Sequence, residues 1–161
     1  MRRTWVISVF VLVFFLIEFF LFNLSGRWFL PNLLLLLIMF VNLYFGVRYS
    51  IFAAFLAGFF KDSFSTQLPG FYLLPFLLCA YVTTLLKNWV YHMGSQFSRL
   101  ILIMLVSITH VFASFMIYAI YSDVSLGDVM KYVFVPQVGT TLLTAQLTFK
   151  FLKICVSKFY V

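Results

Sequence analysis

The stretch TWVISVFVLVFFLIEFFLF, residues 4–22, carries a single ionisable side chain, Glu18. A helix of about 20 mainly apolar residues, at roughly 1.5 Å rise each, crosses a hydrocarbon core of roughly 30 Å. A helix on a soluble core keeps a polar face, and this one has none. The rest of the chain follows suit. Of its 161 residues 65% are hydrophobic and only 9% charged, where a soluble domain carries about 25% charged. So few charges cannot solvate a protein surface. Residues 1–161 therefore read as one integral membrane domain with no soluble domain beside it. Phe supplies 23 residues, and Phe suits acyl chains as Trp and Tyr suit the interfaces. Arg2 and Arg3 ahead of an apolar run imitate a signal peptide. The run is long, contains Glu18 and reaches Ser25-Gly26 without an A-x-A pattern, so an uncleaved first helix is expected.

Working outward, six candidate spans appear: about 4–23, 30–45, 49–60, 71–86, 97–121 and 129–152. Pro31 stands near a first-turn position of the second, where its missing N–H costs little, and Pro136 stands in the first turns of the sixth. The expected fold is all-α, a bundle of six transmembrane helices. Lys and Arg gather on the cytoplasmic side of membrane proteins. With six spans, Arg2, Arg3, Arg48, Lys87, Arg99, Lys150, Lys153 and Lys158 share one side, against Arg27, Lys61 and Lys131 on the other. Both termini are thus expected in the cytoplasm. The same bias accounts for the net charge of +7. No basic cluster or recognition motif points to nucleic acid. Cys79 and Cys155 have no metal-binding spacing and read as small apolar residues.

The third span is short, since 12 residues make a helix of only about 18 Å. It extends toward Asp62 or ends in a loop buried in protein, where broken segments are tolerated. Its Ala53-x-x-x-Ala57 and Ala54-x-x-x-Gly58 pairs let helix backbones approach closely, so this face is expected against another helix. Lys61-Asp62-Ser63-Phe64-Ser65-Thr66-Gln67-Leu68-Pro69-Gly70 then breaks the apolar pattern. It is either an ordinary exposed loop or a re-entrant turn fixed by Asp62 accepting backbone N–H groups, with Ser63, Ser65 and Thr66 adding local bonds.

Three further polar positions stand inside spans. Glu18 lies about five residues from the outer end of the first helix, roughly 8 Å deep. An intramembrane acid is a functional candidate; the alternative is a headgroup-level acid near Asn23 and Arg27, and no Lys or Arg inside another span is placed to neutralise it. His110 shares a helix face with Ser107 and Ser114. Gln137, Thr141, Thr144 and Thr148 form a stripe on the sixth span. These two stripes read either as a relay or ligand pocket, or as interhelical hydrogen bonding worth about 0.6 kcal/mol each. Catalysis finds no support: no Ser–His–Asp set, paired mid-depth carboxylates or phosphate loop is present, and no cofactor or metal is expected.

Phe45-Gly46-Val47-Arg48-Tyr49, Ala57-Gly58-Phe59-Phe60-Lys61-Asp62-Ser63-Phe64-Ser65, Leu68-Pro69-Gly70-Phe71-Tyr72 and Leu77-Leu78-Cys79-Ala80-Tyr81 together resemble the rod shape-determining MreD family. That family has a short third helix with a G-x-x-x-D pattern, matched by Gly58 and Asp62, and a later Gly opening the next helix, matched by Gly70. Pro31-Asn32 also fits. Ser65-Thr66 replace a Gly often found in the turn, and Pro69 replaces a Leu. The resemblance implies a non-enzymatic adaptor of cell-wall elongation in the bacterial inner membrane. Such an adaptor binds MreC and through it connects to the MreB filament and peptidoglycan synthases. The Phe-rich faces of the first and second spans are the candidate seats for the MreC helix. The resemblance also implies a fold similar to the substrate-binding S components of energy-coupling-factor vitamin transporters. A carrier of that type is the alternative function, but the first helix lacks the Ala-x-x-x-Ala pair that would dock its transport partner. A third class, an ion-coupled transporter, would rest on Glu18 and His110 alone, without an internal repeat.

Overall fold

The structure, a computed structural model, describes residues 2–25, 31–65, 70–90, 96–121 and 135–159. These residues form six α-helices and no strand: α1 (Arg2–Ser25), α2 (Leu33–Phe45), α3 (Val47–Ser63), α4 (Leu73–Val90), α5 (Gln96–Tyr121) and α6 (Val135–Phe159). α1 and α5 are long and apolar enough to cross a membrane, and most of each lies on the outside of the protein. On α1 the buried stripe is Ile7, Val11 and Phe14, while Val9, Leu12, Leu16 and Phe20 stand exposed and equally apolar. A helix apolar on both its packed and its open face suits lipid. Trp5 near the start of α1 and Trp89 near the end of α4 are strongly exposed, as interfacial aromatics are.

α2 is the central post. It packs against α1, α3, α4, α5 and α6, and every residue from Pro31 to Asn42 is buried. The expectation that α2 offers a Phe-rich face to a partner is therefore corrected: no side of it is free along that stretch. Its 13 residues make a helix of about 20 Å, too short for a core of roughly 30 Å. Enclosure by protein makes the short length tolerable. Pro31 precedes the helix, and Asn32 is its N-cap, two positions later than a helix with Pro31 as its first residue would have it. The helix ends at Gly46, whose φ of +92° is open to Gly without strain. That single residue caps α2 and starts α3, and its N–H donates to the Val41 and Asn42 carbonyls.

α3 is longer than its apolar core, running through Lys61 and Asp62 to Ser63. Both charges find partners inside the protein, so the helix does not stop at Phe60. Ala53, Ala54, Ala57 and Gly58 are all buried, and α3 packs on α1, α2 and α4. Gly58 marks the tightest approach: a Cβ there would stand 2.5 Å from Leu73 Cα. Each helix overlaps one of the six apolar segments read from sequence, with the last running seven residues past Leu152; 129–134 of the sixth segment and Leu30 of the second lie outside the described residues.

Gly58→Ala is expected to lower thermal stability in detergent by roughly 1–3 kcal/mol, because backbone must shift to admit the methyl. Gly139→Ala, where an added Cβ meets nothing within 4 Å, is expected to leave the melting temperature unchanged or raised. Equal melts for the two variants would show that the α3–α4 contact is not constrained.

Candidate functional site

A helix begins with four backbone N–H groups that have no partner within it, and burying them bare is costly. The start of α2 is buried, so each of its donors must be met. Leu33 N–H donates to the Pro31 carbonyl at 3.0 Å, Leu35 N–H to Asn32 Oδ1 at 3.2 Å, and Leu36 N–H to the Asn32 carbonyl at 3.3 Å. Leu34 N–H donates to Glu18 Oε2 of α1 at 3.2 Å. The Asn32 N–H itself donates to Thr141 Oγ1 of α6 at 3.1 Å. The Asn32 side-chain amide lies 3.4 Å from His110 Nε2 of α5. One buried Asn thus gathers α2, α5 and α6.

The other oxygen of Glu18 receives Lys61 Nζ of α3 at 2.5 Å, both side chains being largely buried. The expectation that nothing in another span neutralises Glu18 is corrected here. Lys61 looked like a loop residue, but the extension of α3 brings it back beside α1. Its ammonium also stands over the Tyr72 ring, 4.9 Å from the centroid, a cation–π geometry. Asn23, the other proposed neighbour, donates instead to the Phe19 carbonyl, and Arg27 lies outside the described residues.

Asp62 performs at α4 the task that Glu18 performs at α2. Its carboxylate accepts the N–H groups of Gly70 at 3.0 Å, Tyr72 at 2.8 Å and Leu73 at 3.3 Å. Gly70, with φ of +93°, turns the chain so that successive donors face one carboxylate. A negative group at a helix start also interacts favourably with the helix dipole. Ser63 donates to the Phe59 carbonyl, and Ser65 N–H to the Asp62 carbonyl. Thr66 and Pro69 lie outside the described residues. Adjacent residues Lys61 and Asp62 therefore serve two buried helix starts, one through Glu18 and one directly.

The remaining polar candidates are arranged differently from the sequence reading. Thr140, Thr141, Thr144 and Thr148 each donate to a carbonyl three or four residues back on α6, with the Gln137 carbonyl accepting from Thr141 at 2.6 Å. Gln137 itself is partly exposed. The stripes of α5 and α6 are bridged by Asn32 rather than bonded to each other directly. His110 is buried with its ring 5.1 Å from that of Phe76. His110 Nδ1, Ser107 Oγ and Ser114 Oγ have no partner among the described residues. No cluster of three metal-ligating side chains occurs among the described residues.

Sequence reasoning assigned no hydrogen-bonding role to Asn32, Asn42 or Lys87. Asn42 Nδ2 donates to the Ala80 carbonyl and Thr84 Oγ1 of α4, at 2.8 and 2.9 Å. Lys87 Nζ donates to the Leu43 carbonyl at 3.1 Å, meeting an orphan acceptor near the end of α2. An isolated Asn inside an apolar run was the available signal.

Residues 1–160 match the family described as rod shape-determining protein MreD. The chain belongs to that family. The MreD family is a family of membrane proteins concerned with rod shape, and Gly58, Asp62 and Gly70 lie within the matched region. No curated protein and no solved structure shows a significant match.

Asp62→Ala leaves three backbone donors without their acceptor and is expected to lower stability in detergent by about 1–3 kcal/mol, read by thermal melting; Asp62→Asn retains part of the loss. For the ion pair, Glu18→Gln and Lys61→Met are each expected to destabilise, and the double variant to lose less than the sum, with a coupling of about 0.5–3 kcal/mol. Strict additivity would show that the pair contributes nothing.

Proposed function

We propose that this MreD-family chain is a non-enzymatic, six-span adaptor of the cell-wall elongation machinery. It seats the transmembrane helix of MreC and through MreC is linked to MreB and the peptidoglycan synthases. The observation that carries this reading is the family match along 1–160. The structure supports it in a second way. The described carboxylates, Glu18 and Asp62, are occupied with helix starts, as befits a rigid platform more than a carrier that turns polar groups toward a ligand.

α1 is the seat that fits best. Its face bearing Val9, Leu12, Leu16 and Phe20 is exposed and apolar, and its other side is fixed on α2 and α3. Helices associate in lipid by close van der Waals packing and a few polar contacts, which a rigid apolar face of this kind provides. Both termini are assigned to the cytoplasm on the distribution of Lys and Arg. Spans α2, α3, α4 and α6 complete the crossing, with α2 enclosed by its neighbours.

The test is co-expression with the MreC of the same genome, a C-terminal tag on this chain, and purification in mild detergent. A stoichiometric complex surviving size exclusion is expected. Leu12→Ala combined with Leu16→Ala is expected to cut MreC recovery at least about tenfold (1.4 kcal/mol or more) with an unchanged melt of the isolated chain. Absence of any complex would overturn the adaptor reading; full recovery with the double variant would move the seat off α1.

A further inference from the structure

On the side of α6 turned away from the protein, Leu143, Leu147, Phe151 and Ile154 are exposed, and Gln146 stands exposed among them. The neighbouring Thr144 and Thr148 hydroxyls are occupied with carbonyls of their own helix. Gln146 has no hydrogen-bond partner among the described residues. Its depth follows from the register of α6 on α2. Thr141 meets Asn32 and, about two turns further along both helices, Phe149 meets Phe40. α6 thus runs parallel beside α2, and Gln146 is level with Leu37. Leu34 lies opposite Glu18, about 10 Å of helix from the end of α1, and Leu37 is about 5 Å deeper. Gln146 therefore stands about 15 Å into a hydrocarbon core of roughly 30 Å, near its middle.

An amide carries two N–H donors and an acceptor oxygen, and acyl chains offer none of them a partner. Long cationic side chains escape by reaching to the headgroups, as Lys150 and Lys153 do from positions nearer the end of the helix. Gln146 is too short to reach them from mid-depth. In lipid such a group is met across a helix–helix contact. The residues around it have the pattern of one. Gly139, Leu143, Gln146 and Lys150 follow at intervals of four, three and four, and all are exposed. This is the spacing of a coiled-coil seam, which keeps one side of a helix against a partner helix. A Cβ added at Gly139 meets nothing within 4 Å, so that end of the seam is bare and admits another backbone closely.

Copies of one chain inserted in the same orientation are related by an axis along the membrane normal, so a two-fold pair brings equal residues together at equal depth. An amide is donor and acceptor at once and is its own complement in that arrangement. We propose that two copies of this chain pair through this side of α6, with the Gln146 amide bonded to the partner's Gln146 near mid-membrane. A polar residue at one seam position also fixes the register and the number of helices that join. The Lys150 ammonium groups turn outward to the headgroups and leave the 139–146 stretch to close. The proposal rests on the reading of α6 as a transmembrane span, and leaves the MreC seat on α1 free.

The experiment is energy transfer between donor- and acceptor-labelled copies of the full chain in vesicles of phosphatidylethanolamine and phosphatidylglycerol, followed as the protein is diluted with lipid. Transfer that fades along a monomer–dimer curve is expected. Gln146→Leu is expected to move the midpoint to at least about tenfold higher protein-to-lipid ratio, with the melting temperature unchanged or raised. Gln146→Asn is expected to keep most of the pairing, and Gly139→Leu, which meets open space within one copy, to abolish it. No transfer at the highest ratio overturns the proposal, as does a midpoint untouched by Gln146→Leu. A companion variant, Gln146→Cys with Cys155→Ser, tests the depth, since Cys79 is buried. It is expected to resist a membrane-impermeant maleimide. Labelling there would sink the pairing and the span together, whereas a shielded Cys in a protein that stays monomeric would sink the pairing alone. If MreC abolishes the transfer and Gln146→Leu lowers MreC recovery, this side of α6 is the MreC seat: the pairing falls and the adaptor reading stands.

Discussion

A short helix that begins deep inside the protein is the constraint on which the rest of this structure depends. α2 starts opposite Glu18, seven residues before the end of α1, which is about 10 Å of helix. Its first N–H groups can meet no bulk water there. In an apolar surrounding each would cost several kcal/mol if left bare. The surrounding helices are arranged to meet them: a carboxylate from α1, a hydroxyl from α6, and Asn32 as the cap that also reaches α5.

Bringing Glu18 inward creates a second requirement, because a buried carboxylate needs a counter-charge. Lys61 supplies it, and α3 must then extend past its apolar core to carry Lys61 to that depth. The next residue, Asp62, is thereby delivered to the start of α4. The small face of α3 allows this, since Gly58 lets α4 approach until Leu73 backbone fills the space of a side chain. Gly46 allows it at the other end by reversing the chain within one residue. The two glycines and two acids form one device that holds α1 to α4 in register, leaving the outer faces of α1 and α5 apolar and open.

Much of this was legible in the sequence. The helices other than the last could be placed within a few residues because long apolar runs are punctuated by Gly46, Ser25-Gly26 and the Lys61–Gly70 break. The small face of α3 was legible for the same kind of reason, since residues four apart lie on one side of a helix whatever its neighbours are. The turn held by Asp62 was readable as one of two alternatives. The partner of Glu18 was not, because Lys61 lies 43 positions away and on the far side of a presumed helix end. The lack of a free face on α2 was likewise hidden: LLLLLIMFV looks the same facing lipid or protein.

What the sequence by itself determined is therefore the local chemistry: which segments are helical, which are apolar enough for lipid, where the chain turns, and which family it joins. Local pattern suffices for these because backbone hydrogen bonds, helix periodicity and Gly conformation act over a few residues. Only the tertiary structure decided which polar groups meet. Asn32 with Thr141 and His110, Glu18 with Lys61, and Asn42 with Ala80 and Thr84 are pairings across different helices. They follow from the depth at which α2 begins, and that depth is set by how the helices pack rather than by any one segment.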